Sequence, residues 1–244
     1  GYFKTDEEAR NYKVDQSFVN QMINASALDN GLHAGDLKFV DLDGNNKIEQ
    51  TTSANDRKDM KVIGNSLPRY NYNFGISADW YGIDFSVLFQ GIGKQNWYPG
   101  AETSMFWGPY SRPYASFIPS DFMSQVWSEE NTDAYFPRPR GYVALGSNRE
   151  LAVVNTKYLQ NLAYCRLKNL SIGYTLPDKW LSKIGFEKIR VYFSGENLLT
   201  FTKLHSDYID PEQASASNSW KTSKSDANIY PWAKTYSFGV DITF

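Results

Sequence analysis

The chain has 244 residues and a formal net charge of −2, enough for one large β domain or two small ones, with no general basic field for nucleic acid or anionic lipid. Its one cysteine, Cys165, excludes an intrachain disulfide and a cysteine-built metal site. No run of eighteen apolar residues occurs, which excludes a membrane-crossing helix but not membrane-crossing strands.

Residues 1–68 lack sustained periodicity. Thr5, followed by Asp6, Glu7 and Glu8, reads as an N-cap and predicts a short helix through Tyr12. Gly31 and Gly35 bracket a turn. From Asp36 a short strand is expected to run into a tight acidic turn that ends near Glu49. Residues 69–91 read as a hairpin. Tyr70, Tyr72, Phe74, Ile76, Ala78 and Trp80 share one face of the first strand, and Asn71, Asn73, Gly75, Ser77 and Asp79 share the other. Tyr81-Gly82 can close a two-residue turn. The second strand resumes with Ile83, Phe85, Val87 and Phe89 against Asp84, Ser86 and Gln90, and Leu88 breaks the polar set.

Residues 92–163 are an aromatic-rich connection punctuated by Pro99, Pro109, Pro113 and Pro119, with a short helix expected after Ser120 whose Phe122, Met123, Val126 and Trp127 form one stripe. A structureless loop of that length inside a compact domain needs a function. Residues 164–201 read as a further hairpin. Leu170, Ile172, Tyr174 and Leu176 alternate with Asn169, Ser171, Gly173 and Thr175. A helical turn from Pro177 to Gly185 follows, then a strand from Lys188 to Phe201. Residues 202–233 form a polar loop.

The closing strand, 234–244, places Tyr236, Phe238, Val240, Ile242 and Phe244 on one face and Thr235, Ser237, Gly239, Asp241 and Thr243 on the other. A terminal aromatic on such a strand, here Phe244 with Tyr236 and Phe238, is similar to the assembly signal of bacterial outer-membrane barrels. The five strands alternate between short and long connections, as outer-membrane barrels do with short periplasmic turns and long outer loops. The apolar-polar alternation within a strand also fits a soluble secreted β-sandwich with one face on a core, but a sandwich has no reason to put every long loop at one end. The aromatic content of 16% suits girdles or a stacking surface.

Several stretches resemble one family. Gly35 to Asn45 resembles its GDIKYxDxNGDG turn, and Asp56-Arg57 with Val62 to Tyr70 resembles DR…IGNPxPRY. Gly82 to Gly91 resembles GFDLSxxFQG, and Arg166 to Pro177 resembles RLKNLSLGYTLP. Gly195 to Lys203 followed by Asp210-Pro211-Glu212 resembles GQNLxTxTK…DPE, and Tyr236 to Gly239 with Phe244 resembles YSFGLxxxF. The family is the SusC/RagA-like TonB-dependent outer-membrane transporters. The resemblance implies an all-β fold, an antiparallel transmembrane β-barrel of twenty-two strands, of which this chain supplies the last five. It also implies a plug and a TonB box outside this chain, through which the TonB complex couples, and a SusD-like surface lipoprotein as partner. Oligosaccharide or peptide import across the bacterial outer membrane is the expected function. The loops 1–68, 92–163 and 202–233 would be extracellular and the Pro177–Gly185 turn periplasmic. The chain is expected to be a piece of a larger protein.

Candidate sites follow. Asp41, Asp43 and Asn45 alternate like the first half of a calcium loop, with the Lys47 carbonyl next and Glu49 as a substitute for the closing ligand, because Thr52 stands where a bidentate Glu belongs. Calcium is the one cofactor for which ligands are offered, and an Asx-stabilised turn without metal explains the same residues. Trp97, Tyr98, Phe106, Trp107, Tyr110 and Tyr114 are candidates to contact a sugar or a protein partner, or to pack the loop on itself. Arg190, Glu196 and Asp241 are expected to face the lumen. No nucleophile–base pair appears, so an enzyme is not expected. The alternative is a secreted carbohydrate-binding β-sandwich that uses the aromatic loop.

Overall fold

The computed structural model describes all residues except 19–30, 52, 112–117, 140–141, 147–148, 184 and 218–229. In chain order the elements are α1 (Asp6–Arg10), β1 (Arg69–Trp80), β2 (Ile83–Lys94), β3 (Asn96–Trp97), α2 (Ser104–Trp107), β4 (Gln160–Asn161), β5 (Tyr164–Thr175), α3 (Asp178–Leu181), β6 (Lys188–Thr202), α4 (Pro211–Ser217) and β7 (Thr235–Thr243), with single 3₁₀ turns between some of them. They divide into two compact units. One is built mainly from Gly1–Gly64 and Tyr98–Leu159. The other is built from Asn65–Trp97, Gln160–Asn218 and Ile229–Phe244.

The second unit is an antiparallel sheet in the order β1-β2-β5-β6-β7, with a two-residue ribbon, β3-β4, beside it. Its first hairpin closes as expected: Tyr81 and Gly82 both take positive φ, 48° and 84°, the turn whose twist matches its strands. A Cβ at Gly82 would sit 2.8 Å from the Thr175 carbonyl oxygen, so the turn tolerates only glycine there. β5 passes to β6 through α3, and Gly185 at φ 79° ends that turn. Both short turns lie at one end of the sheet. At the other end the chain leaves β2 and β6 for its long connections. β2 runs a few residues further than its alternation alone marks, to Lys94, and β6 one further, to Thr202.

One face of this sheet is apolar and uncovered. Phe74, Ile76 and Trp80 of β1, Ile172 of β5, Val191 of β6 and Phe238, Val240 and Ile242 of β7 are all exposed, Phe238 at 83%. Cross-strand rings touch along it, Phe74 stacking on Phe89 at 5.0 Å and Phe193 lying 5.2 Å from Phe238. Among the described residues, no second sheet of this unit covers that face.

Register breaks at one level of the sheet, at Lys168 of β5 and opposite it at Asn197 and Leu198 of β6, where Asn197 takes φ 53°. Leu88 and Phe89 are consecutive on β2, yet they pair with Asn169 and Leu167, so Lys168 is an extra residue, a β-bulge. The bulge changes which face the first half of β5 presents. By unbroken parity Arg166 and Lys168 share a face with Leu170 and Ile172. In the structure Arg166 instead sits beside Gln90 and Thr200, on the polar face with Asp84.

The first unit holds most of the buried aromatics. Helix α1 begins at the Thr5 cap: Thr5 Oγ1 accepts from the Glu8 amide at 3.1 Å, and a Glu8 carboxylate oxygen accepts from the Lys4 amide at 2.8 Å, a reciprocal arrangement close to a capping box. The helix ends at Arg10 rather than Tyr12. Tyr12 leaves it to pack edge-on against Phe3 at 5.0 Å. The strand expected after Asp36 is reduced to one bridge, Leu37 with Tyr2. Its partner further along is a side chain. The buried Gln16 amide donates to the Leu37 carbonyl at 3.0 Å and accepts from the Phe39 amide at 3.3 Å, as a neighbouring strand would. The helix expected after Ser120 is a 3₁₀ turn, Phe122–Gln125, that starts from Asp121. Phe122, Val126 and Trp127 are buried there, but Met123 is 61% exposed, because the tighter turn does not hold the four residues in one stripe.

Candidate functional site

The polar face of the sheet carries two groups of charges. In the first, Arg190 of β6 donates two hydrogen bonds to Asp84 of β2, Nε to Oδ1 at 2.8 Å and Nη2 to Oδ2 at 2.6 Å. Its third nitrogen, Nη1, reaches Asp241 of β7 at 3.2 Å. The two-pronged geometry is the one at which arginine excels. Two glycines make room for it. A Cβ on Gly173 would press on Asp84 and the Arg190 guanidinium, and one on Gly239 would collide with the Tyr192 ring. That ring in turn lies 4.7 Å from the Arg190 guanidinium carbon. Arg190 and Asp241, expected on one face, are thus joined directly, with Asp84 as a third member that the alternation also placed there. Glu196 pairs with Thr235 and Asn169 on the same face, exposed and further along the strand.

The second group gathers residues that parity does not bring to this face. Arg166, only 2% exposed, donates Nη2 to Asp210 at 2.6 Å, Nη1 to Glu212 at 2.7 Å and Nε to the Thr200 hydroxyl at 2.9 Å. Lys168 adds a 3.0 Å contact to Glu212 and sits 5.3 Å over the Trp232 ring. Both motifs, Arg166 to Pro177 and Asp210 to Glu212, were visible in the sequence. Their pairing was not, because parity sent the two cations to the wrong face.

Phe106, Trp107 and Tyr110 are buried in the first unit, Trp107 completely. Trp107 meets Phe106 at 4.8 Å and Tyr158 at 5.2 Å, and Phe136 stacks on Phe122 at 4.7 Å and on Tyr110 at 5.8 Å. Polar tips find carbonyls: Trp107 Nε1 donates to Gly100 at 3.0 Å, the Tyr110 hydroxyl to Pro137 at 2.6 Å and the Tyr98 hydroxyl to Leu151 at 2.9 Å. Burial pushes the Tyr98 and Tyr158 hydroxyls well above their ordinary titration range, so they remain neutral donors. Phe106, Trp107 and Tyr110 thus belong to the core of their unit, while Tyr98 is half-buried. Trp97 is buried separately, in β3 of the other unit. Tyr114 lies outside the described residues.

The acidic turn folds as a set of Asx turns. Asp41 accepts from the Gly44 and Asn46 amides, both at 2.7 Å, Asp43 from Asn45 at 3.1 Å, and Asn45 from Lys47 at 2.8 Å. Desolvation at Asp41 is outweighed by the Asn46 and Gly44 amides, which hold its carboxyl below the usual range. Asp59, not Glu49, closes the group: one carboxylate oxygen each of Asp41, Asp43 and Asp59 lies within 4.8 Å of the others. Asp59 also answers the Leu42 and Glu49 amides at 2.7 Å each. Glu49 is drawn away by Lys47 at 3.0 Å and Lys58 at 3.5 Å. Of the carboxylates in the expected ligand set, Asp41 and Asp43 thus come together with Asp59, while Glu49 pairs with the two lysines. Tyr236 and Phe238 project from the apolar face, and Phe244 packs against Phe186 at 5.3 Å.

Comparison with known proteins gives the following. No family model matches the chain. TonB-dependent receptor P3 of Formosa agariphila is 31% identical over 212 residues, 84% of this chain and 19% of that protein. TonB-dependent receptors P26 and P39 of the same organism are 26% and 25% identical over 91% and 96% of this chain, and 21% and 22% of their own lengths. The chain thus spans about a fifth of the length of these relatives. Two solved structures of the RagAB peptide importer, in its open-open and closed-closed states, align with TM-scores of 0.48 and 0.49 at 21% and 22% identity, over 80% and 86% of this chain and 19% and 21% of theirs.

Proposed function

The chain belongs to the TonB-dependent receptors of the bacterial outer membrane, and from that premise we propose that it is a SusC/RagA-like member and builds the last five strands of the barrel wall and part of the outer loops of a nutrient importer. Its relatives are receptors rather than enzymes. The carrying observation is the two-faced sheet: an uncovered apolar side for lipid, and a polar side, with Arg190, Asp84 and Asp241, for a water-filled interior. The loops at the far end from the short turns would be extracellular, and the Pro177–Gly185 turn periplasmic. The complete receptor, energised through the TonB complex, would import oligosaccharides or peptides with a SusD-like lipoprotein as partner.

The test is a blot of membrane fractions with an antibody to residues 234–244, boiled and unboiled. An outer-membrane band several times larger than the 27.9 kDa of this chain, shifting on heating, is the expected result. A soluble band of the chain's own size would overturn the reading. Uptake of labelled oligosaccharide and labelled peptide by cells lacking the receptor then decides the substrate, and co-purification of a lipoprotein with the tagged receptor decides the partner.

A further inference from the structure

The Arg166 group joins two segments that are far apart in sequence. Asp210 caps α4 with one carboxylate oxygen, accepting from the Glu212 amide at 2.9 Å and the Gln213 amide at 3.3 Å, while its other oxygen holds Arg166 and accepts from the Trp232 amide at 3.3 Å. Pro211 follows as the first helical residue, where its missing N–H costs nothing. The segment from 203 to 214 is tied down again near its start, where the His205 amide donates to the Gln160 side chain at 3.2 Å. Along this segment Leu204, Ile209 and Ala214 are buried. Two cations and two carboxylates balance, and the bulge at Lys168 is what brings the cations to this face.

We propose that this cluster is a latch, with Arg166 as the positioning residue, that fixes residues 203–214 on the polar face of the sheet as a stationary part of the solute-path wall. The proposal rests on the reading of that face as the transporter interior. Arg166 and Asp210 are buried, with Glu212 and Lys168 at the rim of the group, and a buried ion pair holds only while complete. Losing one partner leaves a bare charge in a dry place, and the cheapest relief is for the segment to lift and admit water.

The test uses the full-length receptor in its outer membrane, with Cys165→Ser, any other cysteines replaced, and Ala214→Cys as a reporter for a membrane-impermeant maleimide. Ala214 is wholly buried, so the reporter should label slowly. Adding Arg166→Met or the nearly isosteric Glu212→Gln should raise its labelling rate at least about tenfold. Arg166→Lys, which keeps the charge but loses the two-pronged hold, should fall between. The latch is overturned if neither Arg166→Met nor Glu212→Gln raises the rate in receptors whose unboiled band still shifts on heating. It is overturned equally if Arg166→Lys labels as fast as Arg166→Met, or if the reporter labels fast with the cluster intact. Absence of a heat-shifted outer-membrane band from the parental receptor sinks the transporter reading instead.

Discussion

The two units use the same kind of side chain in opposite ways. In the sheet, phenylalanine, tyrosine and tryptophan stand outward on an uncovered face. In the loop-built unit, they turn inward around Trp107, Phe136 and Tyr158. The difference is in the surroundings each must satisfy. A strand in lipid pairs its backbone with neighbours and offers its apolar side chains to hydrocarbon. A long connection in water has few strand neighbours. It must gather a core of its own and answer its backbone groups with side chains such as Gln16, Asp41 and Asp59. Aromatic content therefore does not by itself mark a binding surface.

Breaking the inward core should have the largest effect. Trp107→Ala removes a wholly buried ring, and such truncations cost about 3–5 kcal/mol. In the full-length receptor, hydrogen exchange across residues 98–159 should accelerate while the heat-shifted barrel band persists. Loss of the barrel band as well would mean that the two units do not fold separately. The outward face is tested by Val240→Arg, which places a charge in hydrocarbon at about 2–4 kcal/mol near mid-bilayer. The yield of folded, heat-shifted receptor should fall sharply, while Ser237→Arg on the opposite face assembles normally. Equal yields would refute the assignment of the faces. Gly239→Ala sharpens the account of the polar face. The new methyl must displace the Tyr192 ring, an overpacking cost of about 1–3 kcal/mol, visible as a lower unfolding midpoint. Tyr192→Ser in the same background should recover most of the loss.

Smaller effects belong to the start of the chain. Thr5→Ala deletes the cap of α1 and should cost about 1 kcal/mol locally, read from exchange at the Glu8 amide. Glu8 itself is held below the usual carboxylate range by the Lys4 amide first and by Lys38 second, against a small desolvation cost. Its folded pKa lies below the unfolded one. Its contribution is therefore complete above about pH 4.3, the ordinary glutamate value, and is lost as pH falls through the folded value. Protection of the Lys4 amide should decline with acidity in that window, and Glu8→Gln should flatten the decline.

The short β3–β4 ribbon and the loss of the strand after Asp36 were not legible in the sequence, whereas the five strands of the main sheet, the Tyr81-Gly82 turn, the alternation of long and short connections and the family were. Each depends on spacing between near neighbours: period two in β1, β2 and β7, positive φ at a glycine, motifs in order along the chain. The joining of Arg190 with Asp241 was half legible, since both share the small-or-polar parity. What no local pattern contains is register. One extra residue at Lys168 reverses the face of Arg166, and only pairing with Leu88 and Phe89 on β2 reveals it. The acidic turn met the same limit. Its ligand-like spacing was plain, yet Asp59, ten positions beyond Glu49, completes the group, because the chain returns there. Inward or outward facing of the aromatic loop was likewise undecided, since burial depends on what a segment meets in space. Alternation and motif order belong to the sequence alone. Register, bulges and burial arise from contacts between distant segments, and only the tertiary structure sets them.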